Sequence, residues 1–257
     1  MARLLRTIEG EIIPRLLLAL QSAPGGVDAE GEIEETASQA EVTEFARLVA
    51  AHDISVASGY LNALLQRGVP LEKIYLDVMA PAARLLGEWW KQDLRDFTEV
   101  TGGLCRMHQL LHEFSASFLH DAQPTAPDRC VLLVPMPGEQ HSFGLIMVGE
   151  FFRRAGWDVS DPHPSRPADL LSVVRKHWFS LIGLSLSCES RMEELKPLLD
   201  AARENSRNQA VSIMVGGAPF VAHPEYVAAV GADATASDGR RAALEANRLI
   251  AARARRA

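Results

Sequence analysis

One histidine of this 257-residue chain stands where an imidazole can do chemistry. His141 lies in "PMPGEQHSFG", between a run that reads as a buried strand and a run that reads as a helix. Glu139 precedes it by two residues and Gly144 follows it by three. A carboxylate that takes the proton on one ring nitrogen leaves the other nitrogen free to coordinate, the usual pairing of a histidine metal ligand with its outer partner. Ser185 and Ser187 end "FSLIGLSLS" and offer hydroxyls, and Gly216-Gly217 end "VSIMVGG" and let a flat or bulky ligand approach the backbone. Taken alone, His141 is equally well read as a loop histidine that caps a helix. The loop has neither GxGxxG nor GxxxxGK(S/T), so no nucleotide fingerprint is present.

The elements around these residues give them a common edge. Short runs rich in Val, Ile and Leu alternate with helical stretches at 142–155, 167–177, 190–205, 223–230 and 239–256. That alternation predicts an α/β domain over 129–257, a doubly wound, flavodoxin-like parallel sheet of five strands. Ligands of such sheets bind outside the carboxyl ends of the strands, where His141, Ser142, Ser185 and Gly216 fall. Residues 41–122 instead carry the spacing of amphipathic helices, about 41–52, 53–67, 70–91 and 96–121, which short connections fold into a four-helix bundle. Gly68 ends the second helix, Pro70 opens the third and Pro81 should kink it. Ahead of the bundle, 1–20 reads as an amphipathic helix and 21–40 as a mobile acidic linker.

Composition narrows the function classes. A formal net charge of −7 argues against independent DNA binding, so contact with DNA is expected to be weak or indirect. The arginines of the last helix are most simply its solvated face. No apolar run approaches the ~20 residues that span a bilayer, and membrane association is not expected. The three cysteines are far apart with no CxxC, which points to a reducing cytoplasm. No paired carboxylates and no nucleophile with a base at recognisable spacing are present, so enzyme activity is not expected.

The spacing of the three elements resembles the cobalamin-binding domain family, whose pattern is DxHxxG, some forty residues, SxL, somewhat under thirty residues, then GG. Here it reads Glu139-Gln140-His141-Ser142-Phe143-Gly144, forty residues, Ser185-Leu186-Ser187, twenty-eight residues, Gly216-Gly217. The resemblance implies cobalamin as cofactor, with His141 as the lower cobalt ligand and the nucleotide tail in a slot lined by the serines and glycines. Glu replaces the family's Asp, and Ser187 replaces its Leu. "GVPLEKIYLDVMAPAARLLGEWW" resembles the helical cap that precedes cobalamin domains in methionine synthase and in cobalamin photoreceptors, which implies that Trp89 or Trp90 faces the ligand. Val100 and Thr101 stand where photoreceptors of this type carry Glu-His, which implies a small or exchangeable upper ligand.

The stretch "DFTEVT" is similar to the AerR/PpaA-type photosynthesis antirepressors. This implies a light- or redox-responsive regulator acting on a transcriptional repressor protein. A corrinoid carrier of a methyltransferase system and a haem-binding sensor on the same scaffold are the alternatives.

Overall fold

The structure, a computed structural model, describes residues 38–139 and 141–255. The amphipathic helix expected over 1–20, and nearly all of the acidic linker, lie outside the described residues. The chain divides into two compact units, one ending at Phe114 and the other beginning at Ser115.

In the first unit, α1 (Gln39–Ala51) starts two residues before the expected position because Ser38 and Glu41 form a capping box. The Ser38 hydroxyl accepts from the Glu41 amide, and the Glu41 carboxylate accepts from the Ser38 amide. α2 (Ile54–Gln66) follows and ends before Gly68, whose φ of +85° suits glycine alone. The third helical stretch has three parts: α3 (Leu71–Lys73), a π-helical turn over Ile74–Met79, and α4 (Ala80–Lys91). Pro81 has no N–H, and its ring would crowd the carbonyl four residues back. A widened turn absorbs this, with the Ala80 amide bonding the Tyr75 carbonyl five residues back. The expected kink is thus a π turn. α5 (Phe97–Phe118) completes the bundle. Its core holds Phe45, Tyr60, Leu61, Tyr75, Met79, Leu86 and Met107, all nearly inaccessible to solvent.

The second unit contains β1 (Cys130–Pro135), α6 (Phe143–Arg154), β2 (Asp158–Ser160), α7 (Pro167–Lys176) and β3 (Leu181–Ser185). A 3-10 turn (Glu189–Arg191) leads into α8 (Met192–Asn205), followed by β4 (Ser212–Gly216). The helix expected over 223–230 is the shorter α10 (Tyr226–Ala229), and an unexpected short helix, α9 (Ala218–Ala222), precedes it. β5 (Ala234–Thr235) and α11 (Gly239–Ala254) close the fold.

The strand order is β2-β1-β3-β4-β5 and every pairing is parallel, as expected for the flavodoxin-like arrangement. Successive residues of β1 bury opposite faces. Leu132 and Val134 join Ile182, Leu184, Ile213 and Val215 against α7 and α8. Val131 and Leu133 pack on the other side with Phe152, Trp157 and Ala246. Burial on both faces is why these strands read as continuous apolar runs.

Candidate functional site

Register places two of the signature positions, Ser185 and Gly216, in one row with the end of β1. Pro135 of β1 pairs with Ser185 of β3, and Ser185 pairs with Gly216 of β4. All three end their strands, so the loop after each strand projects from the carboxyl edge of the sheet. The loop after β1 is tied residue by residue. The Met136 amide donates to the Ser185 carbonyl at 2.8 Å, and the Glu139 amide to the Met136 carbonyl at 2.9 Å. Gly138, at φ +85°, donates to the Pro164 carbonyl at 3.3 Å.

Glu139 reaches across to the loop after β3. Its two carboxylate oxygens accept the Ser187 amide at 3.2 and 3.1 Å. That uses one acceptor site on each oxygen of a group with about four, so capacity for a second donor is left. His141 is exposed in the segment that leads from this anchored loop into α6. Ser142 is the N-cap of α6, yet its side chain makes no capping bond, so its hydroxyl is not committed to the helix. Gly144 is exposed in the first turn, and a Cβ there would meet nothing within 4 Å.

The paired glycines have different duties. Gly217 lies at φ +110°, and a Cβ on it would collide with the Leu186 carbonyl oxygen. It is glycine because the backbone demands it. Gly216 is not in the left-handed region, and a Cβ there would meet nothing within 4 Å. Its missing side chain leaves open space beside Ser185 at the strand ends. A cavity of about 550 Å³ opens beyond β5, lined by Phe220, Thr235, Ser237, Arg241 and Leu244 among others, with none of the signature residues in its wall. The buried Thr235 hydroxyl has no hydrogen-bond partner. A buried hydroxyl without a partner costs free energy that an incoming polar group recovers. The open space at Gly216 fits a bulky ligand at the strand ends. His141 is the residue here whose chemistry suits a metal within such a ligand.

The bundle residues singled out from the sequence are placed within their own unit. Trp90 is 50% exposed, whereas Trp89 is partly buried with the Arg95 guanidinium 5.9 Å from its ring centroid. Val100 is buried and Thr101 is exposed. Leu94 and Phe97, exposed by 61% and 69%, extend the apolar surface begun by Trp90.

Two residues of the sheet edge escaped sequence reasoning. Thr235 ends a two-residue strand with no periodic signal. Arg191 donates to the Pro137 carbonyl at 3.0 Å across 54 residues, a distance in sequence that no local pattern reports.

The class of protein emerges from likeness to known proteins. Residues 129–246 match the B12 binding domain family. The chain is therefore a cobalamin-binding protein built on a Rossmann-like sheet with helices N-terminal to it. Among its relatives, an uncharacterized 20.5 kDa protein in the bchF-crtJ intergenic region of Rhodobacter capsulatus is 28% identical over 170 residues, 66% of this chain and 88% of that one. The dimethylamine corrinoid protein of Methanosarcina barkeri is 26% identical over 115 residues. That match covers 44% of this chain and 53% of the relative, so the chain spans about half the length of that protein. The solved structure of the Methanosarcina barkeri monomethylamine corrinoid protein shares the fold, with a TM-score of 0.66 at 18% identity over 82% of this chain and 98% of that one. Among the described residues no helix is long and apolar enough to cross a membrane.

Proposed function

We propose that this protein is a cobalamin-dependent regulator that acts on a transcriptional repressor rather than an enzyme. The observation that carries the reading is the 170-residue likeness to the protein of the bchF-crtJ intergenic region, which extends well beyond the cobalamin domain's motif. It agrees with the resemblance of "DFTEVT" to photosynthesis antirepressors. In this reading His141 is the lower ligand, Glu139 orients it, and Ser142, Gly144, Ser185, Ser187, Gly216 and Gly217 receive the rest of the cofactor. Trp89, Trp90, Val100 and Thr101 belong to the cap. Bound cobalamin supplies a cobalt with an exchangeable upper ligand. The protein's own part is to hold the imidazole and to convert the state of the upper face into a change of partner affinity. Light or oxygen is the signal, and the cytoplasm is the site of action.

A specific observation favours a second reading. The dimethylamine corrinoid proteins match the same domain, which supports a corrinoid carrier serving a methyltransferase.

The experiment is reconstitution of the purified chain with hydroxocobalamin, followed by pull-down of a photosynthesis-gene repressor with and without the cofactor. Corrin bands are expected, and a Soret band would instead mark haem. A useful switch changes repressor affinity by about 5- to 150-fold. Repressor binding indifferent to cobalamin overturns the regulator, and methyl transfer from a methylamine substrate at steady turnover establishes the carrier.

A further inference from the structure

Arg191 occupies the junction between the 3-10 turn after β3 and the first residue of α8. Its guanidinium is locked at one edge. Nε donates to Glu194 Oε1 at 3.1 Å and Nη2 donates to Glu194 Oε2 at 2.7 Å, a two-pronged pairing within one turn of helix. The remaining arm, Nη1, donates to the Pro137 carbonyl at 3.0 Å. Pro137 lies in the loop after β1, four residues before His141. The Arg191 side chain is 28% exposed, so part of its charge is withdrawn from water. Its pKa is raised, first by the hydrogen bond to Glu194, with the Glu139 carboxylate contributing through space.

Two bridges therefore join the loop after β1 to the loop after β3. One is Glu139 on the Ser187 amide, and the other is Arg191 on the Pro137 carbonyl. Without the second, Pro137 is held only through its neighbours, the Met136 amide on the Ser185 carbonyl and the Gly138 amide on the Pro164 carbonyl. The second fixes it at another backbone point, and Glu194 fixes the fork that supplies it. A planar guanidinium held along one edge loses little freedom when its third bond forms, which a lysine ammonium cannot reproduce.

We infer that Arg191 is a positioning residue for the histidine loop, holding Pro137 so that His141 is presented in one place at the carboxyl edge of the sheet. The inference rests on the reading of His141 as the lower cobalt ligand. It assigns to the loop after β3 a mechanical part in ligation: displacing the start of α8 displaces the imidazole.

The test uses the full chain and three variants: Arg191→Gln, which removes the fork; Glu194→Gln, which unlocks it without touching the loop; and His141→Ala. In protein labelled with 15N-histidine, cobalamin reduced to the cob(II) state gives an electron paramagnetic resonance spectrum split in two by a coordinating imidazole, whereas the cofactor's own benzimidazole splits it in three; the nitrogen splitting read here is the two-line one, and hydrogen exchange of the cofactor-free chain reports the loop. Arg191→Gln should raise exchange over 136–142 and weaken hydroxocobalamin binding about tenfold, the low end for residues behind a ligand. It should also reduce the nitrogen-split fraction of the spectrum. Glu194→Gln should shift all three in the same direction by less. Nitrogen splitting that survives His141→Ala overturns the ligand assignment itself. Splitting lost in His141→Ala but undiminished in Arg191→Gln, with unaltered affinity, overturns the role of Arg191 alone. A form of Arg191→Gln that does not fold passes the decision to Glu194→Gln, where unchanged splitting and exchange overturn the inference.

Discussion

Gly216 and Gly217 are neighbours in sequence and opposites in cause. Gly217→Ala puts a Cβ into the Leu186 carbonyl at a positive φ, so it should cost at least the ~1–3 kcal/mol of a strained backbone. A thermal melt lower by roughly 5–10 °C is expected, with or without cobalamin. Gly216→Ala meets open space and should leave the melt within about a degree, because it disturbs no contact. Its methyl group instead occupies room beside Ser185, and forcing a bulky ligand against it costs about 1–3 kcal/mol. Cobalamin affinity, measured by spectral titration, should fall about tenfold. Equal stability losses from the two substitutions would contradict the assignment of the slot. The sequence carried both glycines in a spaced motif after an apolar run, so their place at the carboxyl edge of the sheet was legible. What it could not carry was which one answers to the backbone and which to the ligand, since that depends on where Leu186 comes to lie. Arg191 was illegible for the same reason: its partners, Glu194 apart, are made adjacent only by the sheet.

At the level of elements, α6 links the histidine to the rest of the unit. Its N-terminus comes directly after His141, and its far half is fastened to the last turn of α5. Ser115 Oγ donates to Glu150 Oε2 at 2.6 Å, and Arg153 donates to the other oxygen at 3.1 Å. The Phe118 and Phe151 rings meet edge to face at 5.0 Å, and Arg154 lies 4.7 Å from the Phe118 ring centroid. Glu150 is only 6% exposed, so its carboxylate takes its hydrogen bonds from these donors rather than from water. Ser115→Ala should lower unfolding free energy by about 1–3 kcal/mol in urea titrations, because a buried carboxylate oxygen loses its donor. A change below about 0.5 kcal/mol would show that water replaces the hydroxyl. The long elements, including α6, were legible from their periods. β2 and β5 have no period of their own, being edge strands of three and two residues, and entered only with the expected count of five strands. The π turn before Pro81 was legible only as a disturbance: proline announces a missing donor, and the packing of Tyr75 and Met79 decides how the helix absorbs it. Pro224 likewise shortens the helix expected over 223–230, which begins only at Tyr226.

For the whole molecule, the acidic chain and its two units frame the question of how a cofactor at one sheet edge is reported elsewhere. A ligand can shift a conformational balance only by its difference in affinity for the two arrangements. Cobalamin at a hundredfold excess over its Kd stabilises the folded chain by about 2.7 kcal/mol through mass action alone, so a raised melt by itself does not separate a regulator from a carrier. The distribution of that stabilisation does. Trp90, Leu94 and Phe97 leave an apolar surface at the turn between α4 and α5, and exposed apolar area of this kind gains when a large ligand covers it. If the bundle serves as the cap that its sequence resembles, cobalamin should slow hydrogen exchange of the amides at 90–97 as well as those at 136–142 and 185–187. Replacing Trp90 by Ala should remove the first effect, leave the second, and lower affinity by about 1–3 kcal/mol, as loss of a large apolar contact does. Protection confined to the sheet edge, with Trp90→Ala binding as the parent does, would mean that the bundle is no cap. Any change of state at the cofactor would then have to be passed on through the loops after β1 and β3, which the Glu139 and Arg191 hydrogen bonds tie to each other.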